Sequence, residues 1–331
     1  MSRGAPLVDV FGRVHTDLRI SVTDRCNLRC SYCMPLEAVF KPRADLLTFE
    51  EIARVARVAA GLGIRTVRLT GGEPLLRRGI PELVGQLVAV PGIEEVALTT
   101  NGLLLAEHAA ALHAAGLARL NVSLDSLTAD GFERLARRPG LDRVLAGLEA
   151  ANQAGFREIR LNAVSVRGLT EDDIVPLARF CRREGFHLRF IEFMPLDAEQ
   201  TWDAAQVLSG AEVRRILERE IGPLVADRAD DPGQPAIDYR WVDGGRVGFI
   251  NPVTRPFCDR CDRLRLTADG QVRNCLFSTV EWDARALLRG DADDAAIAAL
   301  VRDCVAAKRA AHGIDTPAFE RPARAMYQIG G

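Results

Sequence analysis

Nowhere in the 331 residues does an apolar run approach the roughly 20 residues of a membrane span. The first residues also lack the basic-then-apolar pattern of an export signal. The expected location is the cytoplasm, with no membrane partner. The formal net charge is only −2, so no global field recruits nucleic acid, and any anion must be held by a local cluster. Histidine is scarce: there are five, of which His108, His113, His187 and His312 stand at no metal-ligand spacing. Cysteine is not scarce, at eight, and without an export signal these read as reduced thiols and metal ligands rather than disulfides. What is missing is a fourth cysteine near the first three, since none follows Cys33 until Cys181.

The composition, 48% hydrophobic and 27% charged, is that of a globular protein. The length suits one large α/β domain and a smaller one. Alternating apolar runs predict strands over 18–22, 66–70, 95–100, 119–124, 158–164 and 187–193. Helical patterns fall between them at 49–61, 80–89, 104–115, 141–154 and 171–184. Thr48-Phe-Glu-Glu51 reads as a capping box and Thr170 precedes an acidic helix start. Gly63, Gly116, Gly155 and Gly185 fall where helices end. Repeated βα units require a parallel sheet with right-handed crossovers. The expected fold is a partial (β/α)6 barrel of TIM type, with a doubly wound open sheet as the alternative.

The unusual residues gather on one edge of that sheet. The loop Cys26-Asn-Leu-Arg-Cys30-Ser-Tyr-Cys33 follows the first strand and Gly71-Gly72-Glu73-Pro74 the second. Thr99-Thr100-Asn101-Gly102, Ser123-Leu124-Asp125 and Glu192-Phe193-Met194 end later strands, and Asn162 lies on the fifth. In parallel sheets the C-terminal strand edge is where sites are built. After a mixed region and an Asp/Pro/Gly-rich linker at 227–235, the pattern changes to hairpins, with 239–242 turning into 247–250. The expected division is an N-terminal segment (1–12), the barrel (13–235) and a C-terminal cluster-binding domain and tail (236–331).

Three thiols spaced C-x3-C-x2-C converge on one soft metal centre, and a structural zinc site needs a fourth ligand that this stretch lacks. An iron–sulfur cubane with three protein thiolates leaves one iron open. Cys258, Cys261 and Cys275 make a second trio, and Cys181 and Cys304 match no ligand spacing. Arg263 and Arg265, two apart on a predicted strand, point to one face beside the second trio. Paired guanidiniums suit a polyanion such as phosphate. Arg19, Arg68 and Arg160 add inward charge from other strands.

The first cysteine motif, with Tyr32 inside it and the Gly-Gly-Glu-Pro loop, resembles the radical S-adenosylmethionine (SAM) superfamily. That resemblance implies a [4Fe-4S] cluster on Cys26, Cys30 and Cys33 whose free iron chelates SAM. It also implies Tyr32 and Met194 against the adenine, Gly72 at the methionyl group, and Ser123 at the carboxylate or ribose. Within the superfamily, residues 17–35, Leu69-Thr-Gly-Gly-Glu-Pro-Leu75, Leu98-Thr-Thr-Asn-Gly-Leu103, Asn121-Val-Ser-Leu-Asp125, Phe190-Ile-Glu-Phe-Met194 and the terminal Gly330-Gly331 are together similar to the GTP 3′,8-cyclase family of molybdenum-cofactor biosynthesis. The resemblance covers essentially the whole chain. It implies a lyase-type cyclase in which the 5′-deoxyadenosyl radical takes hydrogen from the GTP ribose C3′ and C3′ adds to guanine C8, without a protein acid or base.

The same resemblance places a second [4Fe-4S] cluster on Cys258, Cys261 and Cys275 at the guanine. Arg19, Arg263 and Arg265 grip the triphosphate, with Leu264 in that same set, and Arg68, Thr99 and Arg160 complete the nucleotide pocket. Arg160 departs from the family, where lysine is expected, and guanidinium and ammonium differ in reach. The implied partners are GTP, a reductant such as flavodoxin or ferredoxin, and the next enzyme of the pathway. A homodimer is one of the assemblies allowed. The rivals are a radical SAM enzyme acting on a peptide and a non-catalytic zinc or iron–sulfur protein.

Overall fold

The computed structural model describes residues 6–227, 233–317 and 319–330. Part of the linker at 227–235 and the terminal Gly331 therefore lie outside the described residues. In chain order the elements are β1 (Asp17–Ser21), α1 (Phe49–Gly61), β2 (Thr66–Thr70), α2 (Ile80–Val88), β3 (Glu95–Thr100), α3 (Leu105–Ala114), β4 (Arg119–Ser123), α4 (Ala129–Ala136), α5 (Leu141–Gln153), β5 (Ile159–Ser165), α6 (Glu171–Glu184) and β6 (His187–Glu192). There follow α7 (Gly210–Glu220), β7 (Leu224–Ala226), β8 (Ile237–Trp241), β9 (Arg246–Ile250), β10 (Arg263–Leu266), β11 (Gln271–Arg273), β12 (Trp282–Asp283), α8 (Ala284–Arg289), α9 (Asp294–Ala306) and α10 (Met326–Ile329).

β1 to β6 lie side by side in chain order and all parallel. A doubly wound sheet would reverse its strand order part-way, and this one does not. The partial barrel is the fold. Each end of the arc is extended by a later strand running parallel to it: β10 beside β1 and β9 beside β6. The antiparallel hairpins β8–β9 and β10–β11 then lead outward. Among the described residues no helix is long and apolar enough to cross a membrane.

Local sequence explains the helix ends. Thr48 and Glu51 form the expected capping box at α1, and the glycines expected after α1, α3, α5 and α6 all adopt positive φ. Helix α4 departs from the expectation of a single helix between β4 and β5. It is short, capped by the Thr128 hydroxyl on the Gly131 N–H, and closed by Arg137 in the left-handed region.

The period of two along each strand separates core from site. Ile20, Leu69, Leu98, Leu120, Leu161 and Leu188 are all fully buried in one apolar cluster beneath the helices. Burying each such side chain stabilises the fold by about 1.5–3 kcal/mol. Their neighbours Arg19, Arg68, Thr99, Asn121, Asn162 and Arg189 line the opposite, inner face. Cys181 and Cys304 belong to the apolar core.

Candidate active site

The inner face encloses a cavity of about 300 Å³, lined by residues of β1 to β6, of β10 and of the loops beyond them. All six cysteines of the two trios line it. So do Tyr32, Gly72, Ser123 and Met194, and from the arginine set Arg19, Arg68, Arg263 and Arg265, with Thr99. Two residues of the expected set are elsewhere. Arg160 is ion-paired with Glu158 and is absent from the lining, and the Leu264 side chain is part of the apolar core.

The first cysteine loop is held from several sides. Arg29 and Ser31 donate backbone N–H groups to Ala136 and Leu135 carbonyls at 2.9 and 3.0 Å, so the unforeseen α4 is one of its supports. The Gly-Gly-Glu-Pro loop crosses it, Gly72 N–H donating to Thr23 and Glu73 N–H to Arg25, each at 2.7 Å. A Cβ on Gly72 would collide with the Arg25 carbonyl, so this approach requires glycine. Glu73 is fully buried and is absent from the cavity lining. It accepts from the Thr100 hydroxyl and Asn101 N–H at 2.7 Å and from Leu75 N–H at 3.0 Å, while burial pushes its pKa up to about 7. Asn101 in turn donates its amide to Asn27 at 2.7 Å and stands 3.7 Å from Cys26 Sγ. Tyr32 donates its hydroxyl to Asp125 Oδ2 at 2.6 Å, and Val164 N–H donates to Asp125 Oδ1 at 2.8 Å.

Burial pushes the thiols up, Cys26 to about 11 and Cys33 to about 12, with Cys30 well above its ordinary value and further raised by Asp125 and its neighbouring cysteines. Three half-buried thiols that resist ionisation need a positive centre to become ligands. Among the described residues no three His, Cys, Asp or Glu side chains close on a single-ion site.

In the second trio, burial raises the Cys258 thiol. At Cys261 burial is outweighed by Arg263 and Lys308, which bring it down to about 6. Arg263 Nη2 lies 3.3 Å and Lys308 Nζ 3.5 Å from Cys261 Sγ.

Between the trios runs a basic wall. Arg19 is in register with Arg265 on one side and Arg68 on the other. Burial and these like charges lower the pKa of Arg19 well below its ordinary value. Burial brings Arg68 and Arg265 to about 10 and Arg189 to about 9. Among the described residues the Nε atoms of Arg19, Arg68, Arg189 and Arg263 are buried without a hydrogen-bond partner. Arg189 is met by Asp238 at 3.5 Å and Gln234 at 2.9 Å, whereas buried cationic donors without an anion are costly. Arg189 was not singled out from sequence, although its phase on β6, two residues after His187, matches that of Arg19 and Arg68 on their strands. The tail also arrives here: Arg265 Nη1 donates to the Gly330 carbonyl at 2.9 Å, and Met326 lines the cavity.

Residues 20–181 match the Radical SAM superfamily and residues 186–314 match Molybdenum Cofactor Synthesis C. A GTP 3′,8-cyclase of Rhodopirellula baltica is 50% identical over 330 residues, 98% of this chain and 92% of the relative. One from Streptomyces coelicolor is 47% identical, covering 98% of this chain and 96% of the relative. Among solved structures, Streptococcus suis SuiB bound to S-adenosylmethionine superposes with a TM-score of 0.61 at 16% identity, over 84% of this chain and 64% of that one. That likeness concerns the fold alone. About half the residues in common with these cyclases, over nearly the whole of each chain, make this chain a member of the GTP 3′,8-cyclase family, within the radical SAM superfamily.

Proposed function

We propose that this chain is a radical SAM GTP 3′,8-cyclase of molybdenum-cofactor biosynthesis, with both cysteine trios serving one cavity. The observation that carries the reading is the combination in one lining of six thiols in two groups and four arginines whose buried Nε atoms lack a partner. The donor set fits two [4Fe-4S] clusters: each trio offers soft ligands that a cationic centre would ionise, and each lacks a fourth cysteine. Cys26, Cys30 and Cys33 would hold the cluster that binds SAM, and Cys258, Cys261 and Cys275 the cluster at the guanine. When bound, the first cluster with SAM would supply a 5′-deoxyadenosyl radical to take hydrogen from the GTP ribose C3′, so that C3′ could bond to guanine C8, one further electron and a proton then quenching the radical left on the base.

The chain's residues bind and orient. Tyr32, fixed by Asp125, and Met194 would flank the adenine, while Gly72 would bring main chain to the methionyl group and Ser123 would hold the carboxylate or ribose. Arg19, Arg68, Arg263 and Arg265 would neutralise the triphosphate, with Thr99 beside them and the main chain of Leu264 between the two C-terminal arginines. Arg160 would reach the nucleotide only by leaving Glu158, so its part is the smallest of the set. In this reading residues 13–235 supply the radical site and 236–331 the guanine site, after an N-terminal segment at 1–12. Flavodoxin or ferredoxin would supply the two electrons, one to cleave SAM and one to reduce the cyclised radical, and the product would pass to the next enzyme of the pathway. A homodimer is compatible with this scheme and is not required by it.

The test is anaerobic incubation with GTP, SAM and reductant. Formation of 5′-deoxyadenosine together with 3′,8-cyclo-7,8-dihydro-GTP is expected, with about eight irons per chain. If 5′-deoxyadenosine appears and GTP stays unchanged, the substrate is another molecule.

A further inference from the structure

Beyond the ligands themselves, the C-terminal trio is gripped by the end of α9. Lys308 follows that helix and is 5% exposed. Its Nζ donates to the Arg263 carbonyl at 3.0 Å and lies 3.5 Å from Cys261 Sγ. From the same helix end, the Cys304 carbonyl accepts the side-chain amide of Asn274, the residue before Cys275, at 2.8 Å. The strongest charges acting on Lys308 are the thiols of Cys261 and Cys275 and the guanidiniums of Arg263 and Arg13, and buried His15 feels the Lys308 charge in turn. A buried ammonium whose contacts are a carbonyl and a thiol gains a counter-charge when the thiol is ligated as a thiolate. The first trio is treated differently. The donors nearest Cys26 Sγ are neutral, the Leu28 N–H at 3.4 Å and the Asn101 amide at 3.7 Å.

We infer that Lys308 is a positioning residue for the C-terminal cluster, holding the Cys261 ligand and raising the reduction potential of that cluster relative to the N-terminal one. The inference rests on the two-cluster reading above. One-electron reduction adds a negative charge to a cluster, and a fixed cation and N–H···S contacts at a ligand sulfur stabilise that added charge. Arg263 contributes in the same sense at Cys261, but it also faces the nucleotide cavity, whereas Lys308 is absent from the cavity lining. Lys308 is therefore the position at which cluster tuning can be separated from substrate binding.

The experiment is a potentiometric titration of the anaerobically purified full chain, followed by electron paramagnetic resonance, for the parent, Lys308→Met and Lys308→Arg. Added SAM perturbs the signal of the first trio and so tells the two clusters apart. Expected is a more negative midpoint for the SAM-insensitive signal in Lys308→Met, return toward the parent in Lys308→Arg, and no change in the SAM-sensitive signal. An unchanged midpoint with iron retained overturns the inference, as does an equal shift of both signals. If Lys308→Met does not retain the C-terminal cluster, Lys308→Gln keeps a donor without the charge. A more negative midpoint there supports the inference and a parental one overturns it. A parent chain with about four irons and a single signal would instead remove the two-cluster reading, before any variant is compared.

Discussion

The Tyr32 hydroxyl and Asp125 Oδ2 are 2.6 Å apart, a bond that ties the first cysteine loop to the residues following β4. Asp125 is anchored from its other oxygen by Val164 on β5, so the ring of Tyr32 is positioned by two strands that contribute no cysteine. Burial raises the Asp125 carboxyl to about 6, with the Tyr32 and Val164 bonds opposing that rise. Replacing Asp125 with Ala leaves a buried hydroxyl unpaired, a cost of about 1–3 kcal/mol. The expected outcome is SAM affinity weaker by about 10-fold, measured by equilibrium dialysis on the iron-loaded chain. Tyr32→Phe should weaken it too, and the double variant should lose less than the sum. Additive losses would mean that Asp125 does not act through Tyr32.

Arg265 and Arg263 differ in a way that their shared spacing on β10 conceals. Arg265 bonds the Gly330 carbonyl, whereas Arg263 contacts Cys261 Sγ and packs its guanidinium over Phe257. Arg265→Ala should therefore weaken GTP binding by about 10- to 100-fold, the worth of one or two charge-assisted bonds, without changing iron content. Arg263→Ala should weaken GTP binding and also disturb the second cluster's spectrum. Arg265→Ala with parental GTP affinity would remove that residue from the triphosphate grip.

Much of this fold is legible in the chain because it is local. The strands and most helices announce themselves by period, and α1 by Thr48 and Glu51. Helix α4 is hidden because it is short and its cap, Thr128, lies inside a polar stretch that also reads as loop. The pairing of β10 with β1 is non-local, and no pattern within residues 263–266 specifies a parallel neighbour 246 residues earlier. The cysteines and most arginines of the cavity stand out by spacing and phase. Asp125 and Lys308 do not, because each acts through a contact made only after folding. Arg160 shares the inward character expected of it but meets Glu158, two residues before it and so on the same face of the predicted strand, a pairing that the period of two made available.

His15 offers a pH signature away from the cysteines. It is fully buried beside Asp9, with Nε2 at 3.2 Å from Oδ2. Burial first, and then the charge of Lys308, push its pKa from 6.5 down to about 4, with Asp9 opposing. Unfolding exposes a histidine that binds a proton below pH 6.5, while the native one stays neutral until about pH 4. Stability should thus decline as pH falls through that window, by about 3 kcal/mol from this residue. Above pH 6.5 both states are neutral and the contribution is nil. His15→Gln, neutral throughout, should flatten the decline in urea unfolding measured between those limits. An equally steep decline would place the titrating group elsewhere.

Gly72 is the point at which the radical-site loop and the second strand's loop touch without room for a side chain. A Cβ there would collide with the Arg25 carbonyl and come within 2.8 Å of the Asp24 carbonyl oxygen. The main chain cannot retreat cheaply. Gly72 N–H is bonded to Thr23 and Glu73 N–H to Arg25, both at 2.7 Å, and Glu73 is locked by Thr100 and Asn101. Relief must come from the cysteine loop, and Cys26 is the residue after Arg25. Gly72→Ala should therefore displace Cys26 and empty the first site, leaving about four of about eight irons per chain. The second cluster's spectrum should be unchanged. SAM binding should be lost together with the iron, because the ligand iron and the glycine main chain would fail as one unit. A variant that keeps all its iron yet no longer binds SAM would show instead that the loop absorbs the methyl group and that Gly72 acts only at the cofactor.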